Sequence, residues 1–210
     1  RETLREPVVV EERFTKPAAG RAQYAHVILQ LEPLERGSGI QFAVLARPDE
    51  IPKVYGPAIE SALRGTLTNG PLAGYPLADI GATVTGGSYH PVDSSELAFR
   101  AATSSALRTA YGLGVFDLLE PILEGEVITP GGYLGEVMED LARRRGEIRE
   151  LRSRETIQIL RVSIPLAETF GYTTRLRSLT QGRATYSLEV ARYAVVPEGS
   201  REKIIKSRGY

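Results

Sequence analysis

Cysteine and tryptophan are absent from the 210-residue sequence, methionine occurs once and histidine twice. Without a thiol there are no disulfides, thiolate zinc sites, iron–sulfur clusters or cysteine nucleophiles, and a reducing, cytoplasmic compartment is the expectation. No run approaches the ~18 uninterrupted apolar residues of a membrane-spanning helix. The opening residues Arg1-Glu2-Thr3-Leu4-Arg5-Glu6 lack the apolar stretch of a secretory signal, so neither membrane nor export is expected. Net charge is missing too: 26 Lys and Arg meet 26 Asp and Glu, which excludes a uniformly basic nucleic-acid binder. The first residue is Arg rather than Met, and a piece of a longer polypeptide is expected on that ground.

What is present is the composition of a folded chain, 42% hydrophobic and 25% charged. The length fits one large domain or two small ones, each able to bury a core, and two is the preferred reading. The zero balance hides a polarised order. Asp117 to Asp140 holds seven acidic residues and no Lys or Arg, whereas Arg143 to Arg154 sets six arginines against two glutamates. From Gly171 to Tyr210 eight basic residues face three acidic ones. Such blocks fit either a solvated face laced with ion pairs or the docking face of an anionic partner.

Periodicity reads as a mixed α+β chain. Val8 to Val10, Val27 to Leu31 and Ile40 to Val44 carry the apolar pattern of strands, with Gly37-Ser38-Gly39 turning between the last two. A helix is predicted from Val54 to Leu67, ended by Asn69-Gly70-Pro71, and a strand from Leu77 to Thr85, followed by a loop from Gly86 to Val92. Asp93-Ser94-Ser95-Glu96 has capping-box spacing with Asp93 as the cap, opening a helix from Leu97 to Tyr111 whose stripe of small residues suits close packing on a sheet. A domain boundary is placed near residue 117. Beyond it the order is strand (119–128), helix (132–144), strands (146–153 and 156–164), helix (166–176) and strand (183–195), the βαββαβ order of a ferredoxin-like fold. A C-terminal helix, 198–207, completes the second domain, 117–210.

Chemistry-bearing patterns are few. His26 and His90 show no metal-ligand spacing. His90, Asp93, Ser94 and Ser95 lie too close in one loop to converge as a triad, and the glycine-rich stretches at 37–39 and 86–88 match neither phosphate-loop nor dinucleotide fingerprints. His90, between Tyr89 and Pro91 at the apex of a strand-to-helix loop, reads either as a residue bonded to nearby backbone or as one that stacks on a base or donates to a phosphate. Arg21, Gln23 and Tyr24, following Gly20, form a second candidate contact loop with a phosphate fork, an amide and a stacking face.

Three stretches then become specific: Gly20-Arg21-Ala22-Gln23-Tyr24-Ala25-His26-Val27, Pro71-Leu72-Ala73-Gly74-Tyr75-Pro76, and Gly87-Ser88-Tyr89-His90-Pro91-Val92-Asp93-Ser94-Ser95-Glu96-Leu97-Ala98-Phe99. They resemble domain IV of bacterial translation elongation factor G. Leu119-Glu120-Pro121-Ile122, Asp140-Leu141-Ala142-Arg143-Arg144-Arg145-Gly146, Phe170-Gly171-Tyr172 and Leu176-Arg177-Ser178-Leu179-Thr180-Gln181-Gly182-Arg183 resemble its domain V. The resemblance covers essentially the whole chain. It implies a ribosomal-protein-S5-domain-2-like αβ domain over 1–116 and a ferredoxin-like domain V with a C-terminal helix over 117–210. It further implies a monomer that binds ribosomal RNA of both subunits and acts on the tRNA–mRNA pair in the decoding region. GTP and Mg then belong to an N-terminal domain outside this sequence, so this piece is expected to have no enzymatic activity of its own.

The resemblance gives the tip contacts as Gly20, Arg21, Gln23, Tyr24, Ser88, Tyr89, His90 and Asp93. Arg143, Arg144, Arg145, Arg175, Arg177 and Arg183 are the candidate phosphate contacts, although an arginine at a helix end also complements the helix dipole. The sequence departs from the family pattern G-G-R-G-Q-Y-G-H at Ala19, Ala22 and Ala25, where alanine is strained if φ is positive. Pro91 replaces an acidic residue beside His90. A paralogous factor, a ribosomal protection factor of the tetracycline-resistance type, and a free-standing RNA-binding or interaction module remain alternatives to a translocation factor.

Overall fold

A computed structural model of the chain describes residues 1–16 and 22–208. They fall into two compact units, Arg1–Leu118 with the residues from Val196 onward, and Leu119–Val195. The architecture is α+β, as the sequence predicts. No helix among the described residues is long and apolar enough to cross a membrane.

The first unit opens with β1 (Glu2–Leu4) and β2 (Val8–Lys16), followed by β3 (Gln23–Pro33), β4 (Ile40–Val44), α1 (Gly56–Thr66), β5 (Ile80–Ser88) and α2 (Glu96–Gly112). Among the described residues β2, β3, β5 and β4 form a sheet in that order, antiparallel except for the β4–β5 pair, which the α1 crossover makes parallel. Alternation decides the faces. Ala25, Val27, Leu29 and Leu31 of β3 are fully buried in the core that α1 and α2 cover, and Tyr24, His26 and Ile28 point to the other face. The small stripe Ala98, Ala102, Ala106 and Ala110 is fully buried and lets α2 lie close on β2 and β3. Ser105 and Thr109 of α2 donate to the Glu12 carboxylate of β2 at 3.0 and 3.2 Å.

Two local expectations need correction. The N-cap of α2 is Ser95, whose hydroxyl accepts the Ala98 N–H at 3.1 Å. Asp93 is not the cap because it lies two residues before the position at which α2 is capped. Strand β5 also runs on to Ser88 through the stretch read as loop: an irregularity in register opposite Ile28 and Leu29 absorbs Thr85, and pairing resumes at Gly86. Gly87 pairs with Val27 so closely that a Cβ would overlap the His26 carbonyl oxygen. Ala25 does not have positive φ, so alanine is unstrained there; Ala19 lies outside the described residues.

The second unit carries most of β6 (Phe116–Pro130), then α3 (Leu134–Arg143), β7 (Glu147–Arg154), β8 (Ile157–Pro165), α4 (Tyr172–Thr180) and β9 (Thr185–Val195). Its antiparallel ladder runs β9-β6-β8-β7, the ferredoxin-like order, and Val137, Leu141, Tyr172 and Leu176 of the helices pack on Leu123, Val127, Leu160 and Val162 of the sheet. Helix α4 begins at Tyr172 rather than at the predicted Leu166. Leu166–Glu168 is a separate 3-10 turn, Gly171 adopts φ 73° as the N-cap of α4, and the Arg144 guanidinium holds the carbonyls of Glu168 and Phe170 at 2.6 and 3.3 Å. Its end is a glycine stop, with Gly182 donating to the Arg177 carbonyl at 2.9 Å.

Tyr172 lies beneath that turn at 1% exposure, its ring 5.2 Å from the Arg144 guanidinium, and its hydroxyl has no hydrogen-bond partner among the described residues. Burial raises its phenol above the ordinary 10.0. Below pH 10 both folded and unfolded phenols are protonated; above it only the unfolded chain ionises freely, so stability falls as pH rises. Tyr172→Phe is expected to keep or gain about 1 kcal/mol in urea unfolding at pH 7, since an unmet buried hydroxyl is removed. It should also show a shallower loss of stability above pH 10 than the parent chain.

The C-terminal helix α5 (Glu198–Arg208) follows the second unit in sequence and packs with residues of the first. Ile204 and Ile205 pack with Ala73, Leu118 and Val196, and the Arg208 guanidinium stacks 4.5 Å over the Tyr75 ring. Val196 N–H donates to the Leu118 carbonyl at 2.9 Å. The first residues of β6, Phe116 to Leu118, pair with β1, and Arg5 of the first unit chelates Asp117 at 2.7 Å.

Candidate nucleic-acid interface

At one end of the first sheet, β5 leaves β3 after the His26–Ser88 pair. The chain from Tyr89 to Asp93 then arches over to α2. Ser88 is the first foot of the arch: its hydroxyl lies 2.7 Å from the Tyr24 hydroxyl and 3.1 Å from His26 Nδ1. Ser94, at 6% exposure, is the second foot, donating to the Tyr24 carbonyl at 2.7 Å and accepting the His90 N–H at 2.9 Å. Tyr24 N–H donates to the Asp93 carbonyl at 2.9 Å, and Ser94 N–H to the His90 carbonyl at 3.0 Å.

His90 stands at the apex with 51% of its side chain exposed. Its Nδ1 accepts the Asp93 N–H at 3.1 Å and lies 3.4 Å from the Val92 nitrogen. The neutral ring therefore carries its proton on Nε2, an outward donor, and a protonated ring pairs instead with the Asp93 carboxylate. Tyr89, Pro91 and Val92 flank it in exposed positions. The arch can thus offer an imidazole donor and flat apolar surfaces to a ligand, on a loop whose own polar groups are largely engaged.

The structure brings Tyr24, Ser88, His90 and Asp93 together as one cluster. Gln23 begins β3 beside it, while Gly20 and Arg21 lie outside the described residues. His26 was not singled out as a contact, yet it joins the same cluster through Ser88. Its Nε2 is 3.0 Å from the Glu11 carboxylate but out of line for a hydrogen bond, so it has no hydrogen-bond partner among the described residues. Ser94 was read only as part of a helix cap. Its signal in the sequence was a hydroxyl one turn after His90.

The arginines divide sharply. Arg145 is internal: it binds both oxygens of Glu120 at 2.8 and 2.9 Å and Glu168 at 2.9 Å, and the Glu120 hydrogen bonds above all drive its guanidinium pKa upward. Arg144 is internal as well, at 18% exposure, paired with Asp140 at 2.8 Å. Arg143 sits on the exposed face of α3 beside Glu139 at 2.5 Å, and Arg175 reaches Asp140 at 3.4 Å while staying half-exposed. Arg177 and Arg183 flank the C-terminal end of α4, both exposed and without an ion pair to a described residue. The acidic and basic sequence blocks therefore largely meet each other, and Arg177 and Arg183 at α4 are among the arginines left over for a partner.

The glycine-rich stretches do not fit a nucleotide and its metal. The Gly37 and Gly39 amides already donate to the Asp79 carboxylate at 3.1 and 3.0 Å, and Gly86 and Gly87 are extended strand paired with β3 rather than a loop that cradles a phosphate. Among the described residues no group of three or more His, Asp or Glu is placed to hold a metal ion.

Comparison with known families completes the description. Residues 1–113 match the family model of elongation factor G, domain IV, and residues 117–204 match that of the elongation factor G C-terminus. The chain belongs to the elongation factor G family. A crystal structure of a protein from Thermus thermophilus is similar over 100% of this chain at 35% identity, with a TM-score of 0.86. The chain spans 31% of that protein's length. The His90 arch thus lies in the domain IV match, and the α4 arginines in the C-terminal match of the elongation factor G family.

Proposed function

We propose that this elongation factor G chain is the ribosome-engaging part of a translocation factor. The arch around His90 enters the decoding region of the small subunit and supports movement of the tRNA–mRNA pair, while Arg177 and Arg183 engage phosphates of the large subunit. The observation that carries this reading is the exposed, backbone-braced imidazole of His90, which suits shape and contact rather than covalent chemistry. GTP hydrolysis is assigned to another part of the natural polypeptide, since one glycine stretch here binds the Asp79 carboxylate and the other is paired strand, neither of them a phosphate-cradling loop. The factor works in the cytoplasm as a monomer.

The test is single-turnover translocation by the complete natural polypeptide, with ribosome binding and GTP hydrolysis followed in parallel. His90→Ala is expected to slow translocation about tenfold, the worth of one lost base or phosphate contact, with binding and hydrolysis unchanged. Arg177→Ala combined with Arg183→Ala is expected to flatten the log–log salt dependence of ribosome binding by about 0.7 to 0.9 per lost phosphate contact. An unaltered rate in the first variant removes the arch from the mechanism, and an unaltered slope in the second removes the two arginines from the interface. Binding and hydrolysis without translocation in the parent would favour a paralogous or protection-type factor, a reading to which Pro91 in place of an acid lends support.

A further inference from the structure

The arch is gripped at both feet by one residue of β3. Where β5 departs, the Tyr24 N–H and C=O on that edge lose their ladder partners, and buried backbone groups must be paired elsewhere. Asp93 supplies the acceptor at 2.9 Å and Ser94 the donor at 2.7 Å, so the far end of the loop returns to close the edge of the strand. The Tyr24 phenol holds the near foot through Ser88 at 2.7 Å. Ser94 contributes more than a cap, because its single hydroxyl proton goes to Tyr24 while a lone pair takes the His90 N–H. Among small side chains only a hydroxyl both donates and accepts in this way.

We infer that Tyr24 and Ser94 are positioning residues, a clasp that holds the His90 arch rigid against β3 so that the imidazole is presented in one orientation. Tyr24 then acts through the arch rather than by stacking on RNA. The inference rests on the reading of the arch as the ribosome-facing end. Rigid presentation matters for a contact made during a movement: a loose loop binds as well at equilibrium but transmits less of a push, so the effect falls on the saturated rate rather than on binding.

The experiment combines amide hydrogen exchange with saturating single-turnover translocation, both on the complete natural polypeptide. Ser94→Ala is expected to raise exchange at the His90 amide about tenfold, as one lost hydrogen bond allows, with exchange at Val27 and Leu29 unchanged. It should lower the saturated translocation rate about fivefold, leaving the half-saturating concentration and GTP hydrolysis as in the parent. Ser94→Thr, which keeps the hydroxyl, should restore both readouts, and Tyr24→Phe should give a smaller change in the same direction. Unchanged exchange at His90 in Ser94→Ala overturns the clasp. Raised exchange with an unchanged rate, in a factor that His90→Ala does slow, overturns the positioning role. A factor that His90→Ala fails to slow counts against the functional reading of the arch and its use of the clasp, while the exchange data still decide whether the clasp exists.

Discussion

Glu2→Ala is expected to destabilise the first unit by about 3 kcal/mol or more, because three backbone N–H groups lose their acceptor at about 1 to 3 kcal/mol each. Glu2 has no exposed surface. Its carboxylate accepts the Leu72 N–H at 2.8 Å and those of Ala73 and Tyr75 at 2.9 and 3.0 Å. Its own N–H donates to Pro76 at 3.0 Å and its carbonyl accepts from Ala78 at 2.9 Å, so side chain and backbone together fold the segment from 70 to 78 around one residue. Gly70 leaves the room, since a Cβ there would run into the carboxylate. Glu2→Gln should recover only part of the loss, as one of its two terminal groups is a donor facing donors. Urea unfolding monitored on the first unit measures it. A change below about 1 kcal/mol would mean that water reaches these amides once the carboxylate is gone.

Arg145→Ala is expected to cost the second unit about 3 to 5 kcal/mol, the penalty for stranding a buried partner of an ion pair. Glu120, only 10% exposed at its side chain, would lose a bidentate partner and Glu168 a third contact. Arg145 also sits at φ 56°, a left-handed conformation whose strain of about 1 kcal/mol arginine and alanine share and glycine escapes. Arg145→Gly relieves that strain but not the stranded charge and should fall between alanine and the parent chain. Arg183→Ala, exposed and unpaired, should stay within about 0.5 kcal/mol. Melting the three variants side by side separates an arginine that holds the fold from one that faces a partner. If Arg145→Ala melts with the parent chain, Glu120 is being satisfied by another route.

This contrast shows where sequence reading stops. The βαββαβ order of the second unit was legible because each element has its own period and glycine punctuation. The faces of β3 were legible because alternation fixes which side chains share a side. The run Arg143-Arg144-Arg145 was not, since a row of like charges says nothing of partners 25 residues away, such as Glu120 for Arg145. The start of α4 was missed because the Arg144 contacts that hold its preceding turn are tertiary. In the arch, the sequence singled out His90 and Tyr24 by type, but only the fold shows that one is presented and the other grips. Asp93 looked like a helix cap on spacing alone, but α2 is capped two residues later, by Ser95.

The hydrogen bond from Val196 to Leu118 bears on how the chain matures. The strand entering the second unit and the strand leaving it run side by side from the Leu119–Val195 pair onward, so in sequence residues 119–195 interrupt the first unit. During synthesis the inserted unit emerges whole while the first still lacks Ile204 and Ile205, the apolar side chains that cover Ala73 and Leu118. The part made first is therefore finished last. Excising 119–195 and joining Leu118 to Val196 through a short turn keeps Ile204 and Ile205 on Ala73 and Leu118, whereas stopping the chain at residue 118 leaves an apolar seam open to water.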